Sequence, residues 1–145
     1  MSIQNEEIAE VFRKEKIAWD SKDIDGIISA IGRFSFGYRT SAWRDFSVNT
    51  KEQMRSALEN FYKDMEYLRR SDTELSTWSE GDIGLAWGFS MEECKHKGQP
   101  PERVRTRFTQ VYKKEGEEWR MLMSHKDIQP FDEEGKYLKE HTRIE

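Results

Sequence analysis

Ionisable side chains recur on two predicted strands late in the chain, in the segment RTRFTQVYKKEGEEWRMLMSHKD. Its glycine suits a three-residue loop, Lys114-Glu115-Gly116, in which Gly116 takes the left-handed conformation. That register places Arg105 opposite His125 and Arg107 opposite Met123. Because side chains alternate between the two faces of a strand, one face of the hairpin would carry Arg105, Arg107, Thr109, Val111, Met121, Met123, His125 and Asp127. Such a face either lines a solvated pocket or is an ordinary wet side of a sheet.

These residue types suit acid–base chemistry. His125, with Asp127 two residues later, could be a base and its orienting neighbour. Arg107 could hold a carboxylate or an enolate oxygen through its fork of donors. The alternative is a cross-strand set of hydrogen bonds among His, Arg and Asp that only stabilises the sheet. The residues themselves leave both interpretations open.

A carboxylate interrupts the apolar stripe of the first predicted helix. Glu15 falls between Ile8, Phe12 and Trp19 on a helical wheel. A buried unpaired carboxylate is costly, so Glu15 should be neutralised or paired. It is either a pocket acid or base with a raised pKa, or it pairs with an arginine of the sheet such as Arg107, or it reaches water at a rim.

Composition narrows the class of protein. The chain has 145 residues, a net charge of −4, 36% charged residues and five Trp, which predicts one heavily charged globular domain over residues 1–145. Without a dense Lys/Arg run, we expect no nucleic-acid partner. One cysteine, an acidic N-terminus and no long apolar run predict a cytoplasmic protein without membrane contact. Cys94 and His96 lack a second ligand pair, so we expect no metal site and no cofactor.

Hydrophobic periodicity predicts helices first and strands afterwards. The predicted helices cover residues 5–22, a short segment ending at Gly32, and a segment that Thr50 and Gln53 open as a capping box and that runs to about Tyr67. The predicted strands are 34–40, 75–78, 83–91, 103–113 and 119–128, with a loop over 41–49. This order favours an α+β domain with helices packed on one face of a curved antiparallel sheet.

The order of elements, together with three motifs, resembles the nuclear-transport-factor-2-like (NTF2-like) superfamily and, within it, the SnoaL-like domains. The motifs are Asp23-Ile-Asp-Gly26 after a helix, Leu85-Ala-Trp87 in a long strand, and Arg107-Phe-Thr109 followed across a glycine turn by Trp119 to His125. The resemblance implies a cone-shaped, cystatin-like α+β barrel with an apolar pocket between helices and sheet. It also implies a homodimer formed through the sheet.

The resemblance also indicates which catalytic sites of the superfamily do not match this chain. Isomerase members carry a catalytic carboxylate on the strand that matches residues 34–40, where this chain has no Asp or Glu, and a second carboxyl near Thr109. Epoxide hydrolase members use an Asp-Arg-Asp set, and neither Arg105 nor Arg107 has an Asp two residues away. Many SnoaL-like members have Ser where Asp127 stands. A simple transfer of those sites therefore fails.

Two functions remain, and we expect a small-molecule ligand as the partner of the first. The first is cofactor-free acid–base catalysis, of the isomerase, dehydratase or cyclase type, on a small and mostly apolar carbonyl or hydroxyl compound. The second is a non-catalytic ligand-binding or dimerisation domain with a vestigial pocket. With the Arg/Thr/His face as pocket lining, the expected catalytic residues are His125, Asp127, Arg107 and Glu15, and the expected substrate-binding residues are Trp19, Tyr38, Trp43, Trp87, Thr109 and Met123. A cavity of a few hundred Å³ would favour a ligand, whereas a sealed ion-pair network would favour the second function.

Overall fold

A computed structural model describes residues 5–32, 37–41 and 45–131. Within them three helices and six strands follow one another as α1 (Glu6–Asp20), α2 (Ile24–Ser29), β1 (Gly37–Ser41), β2 (Asp45–Val48), α3 (Lys51–Tyr62), β3 (Met65–Glu80), β4 (Ile83–His96), β5 (Glu102–Glu115) and β6 (Glu118–Phe131). No helix of these segments is long and apolar enough to cross a membrane.

The strands form one sheet in the order β2-β1-β6-β5-β4-β3. Strands β3 to β6 are an antiparallel meander, and β1 extends it by pairing in parallel with β6. The helices cover one face, so the predicted α+β architecture with a curved sheet is confirmed. Curvature has a local cause beside Gly88, which has a φ of +149° and pairs with Leu75, next to a register irregularity between Ser71 and Glu74. A bulge of this kind bends the strand and increases its twist.

Side-chain caps fix where the helices begin. The carboxylate of Asp23 accepts a hydrogen bond from the backbone N–H of Gly26, and the side chain of Asn5 accepts one from Ile8. The Thr50 hydroxyl accepts from the backbone N–H of Gln53 at 3.0 Å, as the capping box predicts. The Gln53 amide oxygen reaches back one residue further than expected and accepts from the backbone N–H of Asn49. Each cap satisfies donors that a helix start leaves open.

Several element boundaries differ from the prediction, and β3 and β4 are much longer than the predicted strands 75–78 and 83–91. Helix α3 ends at Tyr62 rather than near Tyr67, because Asp64 takes a φ of +59° and the chain leaves as β3 at Met65. Met65 fitted the helical stripe only because a short apolar pattern is compatible with either period. Residues 45–48, predicted as loop, form strand β2. Trp43 and the start of the predicted strand at Phe34 lie outside the described residues.

The hairpin register also differs. Glu115 pairs with Glu118, which makes a two-residue turn at Gly116 and Glu117, instead of the three-residue loop. This turn, together with an irregularity between Val111 and Tyr112, places Thr109 rather than Arg105 opposite His125. The same irregularity moves Met121 to the opposite face, where it pairs with Tyr112. The predicted face keeps all its other members.

The core lies on the face that carries Phe108 and Tyr112. Phe108 stacks on Phe12 of α1 with ring centroids 4.9 Å apart, and Tyr112 is fully buried. The same face of β4 carries the buried Ala86, and the irregularity brings Met121 into it from β6. Helices cover this side because its burial removes large apolar and aromatic surface from water. Covering the other side of β5 would instead bury Arg105 and Arg107.

Candidate functional site

A cavity of about 320 Å³ lies between α1, α3 and the inner face of the sheet. Most of its wall is apolar, and one end is polar. The lining residues are Trp19, Met54, Ala57, Leu58, Asn60, Phe61, Leu68, Arg70, Glu92, Thr106, Lys126 and Ile128. Asn60 is exposed and Phe61 is 39% exposed, so the cavity reaches the surface at the end of α3. Its volume suits a small ligand.

Strand pairing brings the polar lining residues together. Arg70 of β3 lies opposite Glu92 of β4, and Thr106 of β5 lies opposite Ile128 of β6. Lys126 is two residues before Ile128 and therefore points to the same side. Four strands thus contribute to one polar end, although the residues are far apart in the chain.

Arg70 connects two carboxylates at this end. Its Nε lies 3.4 Å from an Oε1 of Glu92 and 3.8 Å from Oδ1 of Asp20. Its guanidinium carbon is 5.7 Å from the centre of the Trp19 ring. Burial raises the pKa of Asp20 above its usual value, and the charge of Arg70 opposes that rise. The guanidinium is thereby held at the cavity wall with its side chain 8% exposed.

Lys126 places an amine inside the protein. Its Nζ lies 4.7 Å from the centre of the Trp19 ring, and the residue is 9% exposed. Burial lowers its pKa to about 8, and the nearby charge of Arg70 lowers it too, while Glu92 and Glu15 oppose the shift. At neutral pH a substantial minority of the amine is therefore uncharged, which a solvated lysine does not achieve.

Glu15 sits beside the cavity in a buried hydrogen-bond network. Its Oε2 accepts from Gln110 Nε2 at 2.8 Å and from the Tyr112 hydroxyl at 2.9 Å. The same Gln110 nitrogen lies 2.7 Å from the Tyr112 oxygen, to which its second N–H can donate. Burial raises the pKa of Glu15 to about 7, although both hydrogen bonds and the charge of Lys126 oppose the rise. The predicted raised pKa is present, but its partners are neutral side chains rather than an arginine.

Several buried polar atoms at the site have no hydrogen-bond partner among the described residues. They are Oε1 of Glu15, Nε of Arg70, Oγ1 of Thr106 and Oγ of Ser124. Buried polar groups in native proteins are rarely left unpaired. Arg70 and Thr106 line the cavity, so a ligand oxygen there would find donors in place.

The charged face of the hairpin is the outer one. Arg107, Thr109, His125 and Asp127 are exposed, and Met123 is 37% exposed. With Trp87, the four polar residues border a shallow depression of about 350 Å³ on the side away from the helices, and Met123 lies outside it. The expectation that this face lines the inner pocket is therefore wrong, as is the expectation that Glu15 meets Arg107 across it.

The other predicted residues divide between these two places. Trp19 lines the inner cavity, as expected of a substrate-binding residue, while Trp87 faces outward. Tyr38 lies in β1 with its Cα opposite that of Ser124, and its side chain is outside the described residues, as is Trp43. In the described segments no group of three or more His, Cys, Asp or Glu side chains could hold a metal ion.

Sequence reasoning missed Arg70, Glu92, Thr106 and Lys126. One signal was available for two of them: Thr106 alternates in phase with Phe108 and Tyr112, and Lys126 in phase with Ser124 and Ile128. Choosing the more aromatic face of β5 as the buried one would have found both. Arg70 could not be found in this way, because residues 68–74 were assigned to neither a helix nor a strand.

Comparison with known proteins supports the architecture. No family model matches the chain, and no curated protein is similar to it in sequence. Solved structures do match. A proposed dehydratase of the NTF2-like family from Streptomyces avermitilis superposes with a TM-score of 0.73 at 12% identity, over 84% of this chain and 93% of that one. A ketosteroid isomerase-like protein from Erwinia carotovora atroseptica gives 0.70 at 11%, over 86% and 98%.

A third match, an NTF2-like protein of unknown function from Pseudomonas putida KT2440, gives a TM-score of 0.68 at 20% identity, over 96% of this chain and 94% of that one. The chain therefore has the NTF2-like fold, which the helix and strand motifs predicted. At such identities the shared property is the fold, and fold alone does not fix a reaction. The narrower SnoaL-like assignment stays a prediction.

Proposed function

We propose that the inner cavity binds a small, mostly apolar compound that carries a carbonyl or hydroxyl oxygen, and that the protein performs cofactor-free acid–base chemistry on it. The reaction would be of the isomerase, dehydratase or cyclase type. The observation that supports this most strongly is the division of the cavity into an apolar wall and a polar end, where the Thr106 hydroxyl lacks a hydrogen-bond partner in the described part of the chain and ion pairs with Glu92 and Asp20 hold the guanidinium of Arg70 in place.

The apolar wall would supply most of the binding free energy. Burying a ligand against Trp19, Leu58 and Leu68 removes apolar surface from water, at about 25 cal/mol per Å². The ligand oxygen would then lie at the polar end, where Arg70 and Thr106 can donate hydrogen bonds. Such donors stabilise negative charge that develops on an oxygen when a neighbouring carbon loses a proton.

Lys126 is the group best placed to move that proton. Its amine is on the cavity wall, and a pKa of about 8 leaves both protonation states populated near neutral pH. A group whose pKa lies near the working pH is the most effective general base or acid. Glu15 does not line the cavity, so its role would be electrostatic: its ionisation changes the charge that Lys126 experiences.

A specific observation favours the non-catalytic alternative. Glu15 is engaged by Gln110 and Tyr112 in a closed buried network, which is also what a purely structural carboxylate would show. Under this alternative the cavity binds a ligand without converting it. The two functions therefore share the binding step and differ in proton transfer.

Binding and proton transfer can be tested separately. Acetophenone and 1-phenylethanol are suitable probes, with binding measured by thermal shift and by titration calorimetry. Ala57→Phe fills the cavity from α3 and should abolish binding, whereas Ser56→Phe adds the same ring at the exposed neighbouring position and should leave binding intact. Equal binding to both variants would contradict the cavity as the site.

Proton transfer is followed by NMR as deuterium incorporation at the acetophenone methyl group in D₂O. The wild type should catalyse the exchange and Lys126→Met should lose it while still binding the ketone. Binding without exchange in the wild type would select the non-catalytic alternative.

We also infer a homodimer through the outer face of the sheet. That face exposes Trp78, Ile83 and Met123, at 37%, 36% and 37% of their surface, beside the charged residues of the hairpin. A large exposed apolar patch on a sheet is typical of a protein–protein interface. Sedimentation at micromolar concentration should give a dimer, and Met123→Glu, which places a charge in the patch, should give a monomer. A monomeric wild type would contradict the inference.

A further inference from the structure

We propose that Lys126 acts as an amine nucleophile and forms a reversible imine with small, mostly apolar aldehydes and ketones that enter the inner cavity. This inference rests on the proposed binding function and narrows its ligand class from oxygen-bearing compounds in general to carbonyl compounds. It also assigns Lys126 a covalent role in addition to proton transfer.

The position of the amine is the first support. Lys126 lies on the cavity wall, with Nζ 4.7 Å from the centre of the Trp19 ring, and Trp19 lines the same cavity. A flat, apolar carbonyl compound stacked or packed against this indole would have its carbonyl carbon within reach of the amine. The Thr106 hydroxyl, also on the wall and without a hydrogen-bond partner among the described residues, can donate to the carbonyl oxygen.

The state of the amine is the second support. Only an uncharged amine attacks a carbonyl carbon, and desolvation of a lysine in an apolar pocket favours that form. The pKa of Lys126 is about 8, against 10.5 for an ordinary lysine. At pH 7 this difference raises the uncharged fraction roughly 300-fold, which outweighs the lower nucleophilicity of a less basic amine.

The chemistry balances without a cofactor. The lone pair of Nζ attacks the carbonyl carbon, the C=O π electrons move to oxygen, and one proton moves from nitrogen to that oxygen to give a carbinolamine. A second proton, supplied by water that enters the cavity, lets the hydroxyl leave as water while nitrogen forms the C=N bond. The product is a protonated imine, and ionised Glu15 offsets its charge. Hydrolysis reverses every step.

Reductive trapping tests the inference. The full chain is incubated at pH 7 with benzaldehyde and sodium cyanoborohydride, and hydride addition to the imine carbon leaves one benzyl group on the reacting nitrogen. Intact-mass and peptide mass spectrometry then locate the group. Lys126 should be labelled at least about tenfold faster than the exposed Lys113 of β5, because desolvation favours its uncharged form.

Variants and a binding control keep the outcomes separate. Lys126→Met and Lys126→Arg should lose the fast label, Lys113→Arg should keep it, and Ala57→Phe should lose it together with binding. Uniform slow labelling of all lysines, in a wild type whose melting temperature still rises with acetophenone, overturns the imine and leaves the proposed binding function standing. Fast labelling of Lys126 that Ala57→Phe does not slow overturns the link to the cavity. Absence of both labelling and thermal shift overturns both proposals.

Discussion

Glu15 should make the stability of the protein fall as the pH rises from acid to neutral. Its pKa is about 7 in the folded protein, against 4.5 for an ordinary glutamate. Below pH 4.5 the carboxyl is protonated in both the folded and the unfolded chain and has no effect. Between pH 4.5 and pH 7 the carboxyl ionises in the unfolded chain but keeps its proton in the folded chain. The free energy of unfolding therefore falls as the pH rises through this range. A pKa difference of 2.5 corresponds to about 3 kcal/mol, all of it present above pH 7.

Glu15→Gln removes this titration while keeping an oxygen that can accept from Gln110 and Tyr112. The free energy of unfolding is measured by urea denaturation for wild type and variant at several pH values from 4.5 to 7, a window that ends below the pKa of Lys126, about 8. Across this window the free energy of unfolding of the variant should rise by about 3 kcal/mol relative to that of the wild type. Glu59→Gln, at an exposed position of α3, is the matched control and should follow the wild type. A constant difference between wild type and Glu15→Gln would refute the reasoning that burial raises this pKa.

Three further changes test neighbouring parts of the structure. Tyr112→Phe removes a hydrogen-bond donor to Glu15, so urea denaturation should show that the free energy of unfolding falls by about 1–3 kcal/mol. The pH at which stability changes with the ionisation of Glu15 should also move upward. An unchanged transition would contradict the hydrogen bond. Gly88→Ala would place a Cβ 1.8 Å from the backbone oxygen of Glu74. Thermal melts should therefore show that the free energy of unfolding falls by about 1–3 kcal/mol or more. An unaffected melt would contradict the close strand contact. Thr50→Ala removes the cap of α3 and should lower the free energy of unfolding by about 1 kcal/mol. Ser56→Ala, measured in parallel as the control, should lower it less.

Much of the architecture could be predicted from local patterns. The amphipathic stripe of α1, the cap at Thr50 and the long alternation that begins at Ile83 are all local signals, and each of these elements begins close to where its pattern indicated. These patterns reflect backbone hydrogen bonding and side-chain periodicity, which short segments specify by themselves. The NTF2-like fold was implied by the resemblance of their order and motifs to that superfamily.

The site could be predicted only in part. The sequence singled out Glu15 as a carboxylate within an apolar stripe, and left open whether it is neutralised by burial, paired with an arginine or exposed at a rim. It also grouped Arg107, Thr109, His125 and Asp127 on one face. It did not identify which face the helices cover, because alternation relates residues to one another and not to the rest of the protein.

Packing in the tertiary structure decides which face of the hairpin the helices cover. Covering the face with Phe108 and Tyr112 buries aromatic surface and leaves Arg107 in water and Arg105 half-buried on the outer face. The free energy of that difference exists only once helices and sheet meet. The same packing placed Arg70, from a segment with an ambiguous period, beside Lys126, more than fifty residues later in the chain. By itself the sequence determined the elements and the ionisable residue types. Which of those residues share a cavity was decided by contacts between strands and helices that no local pattern contains.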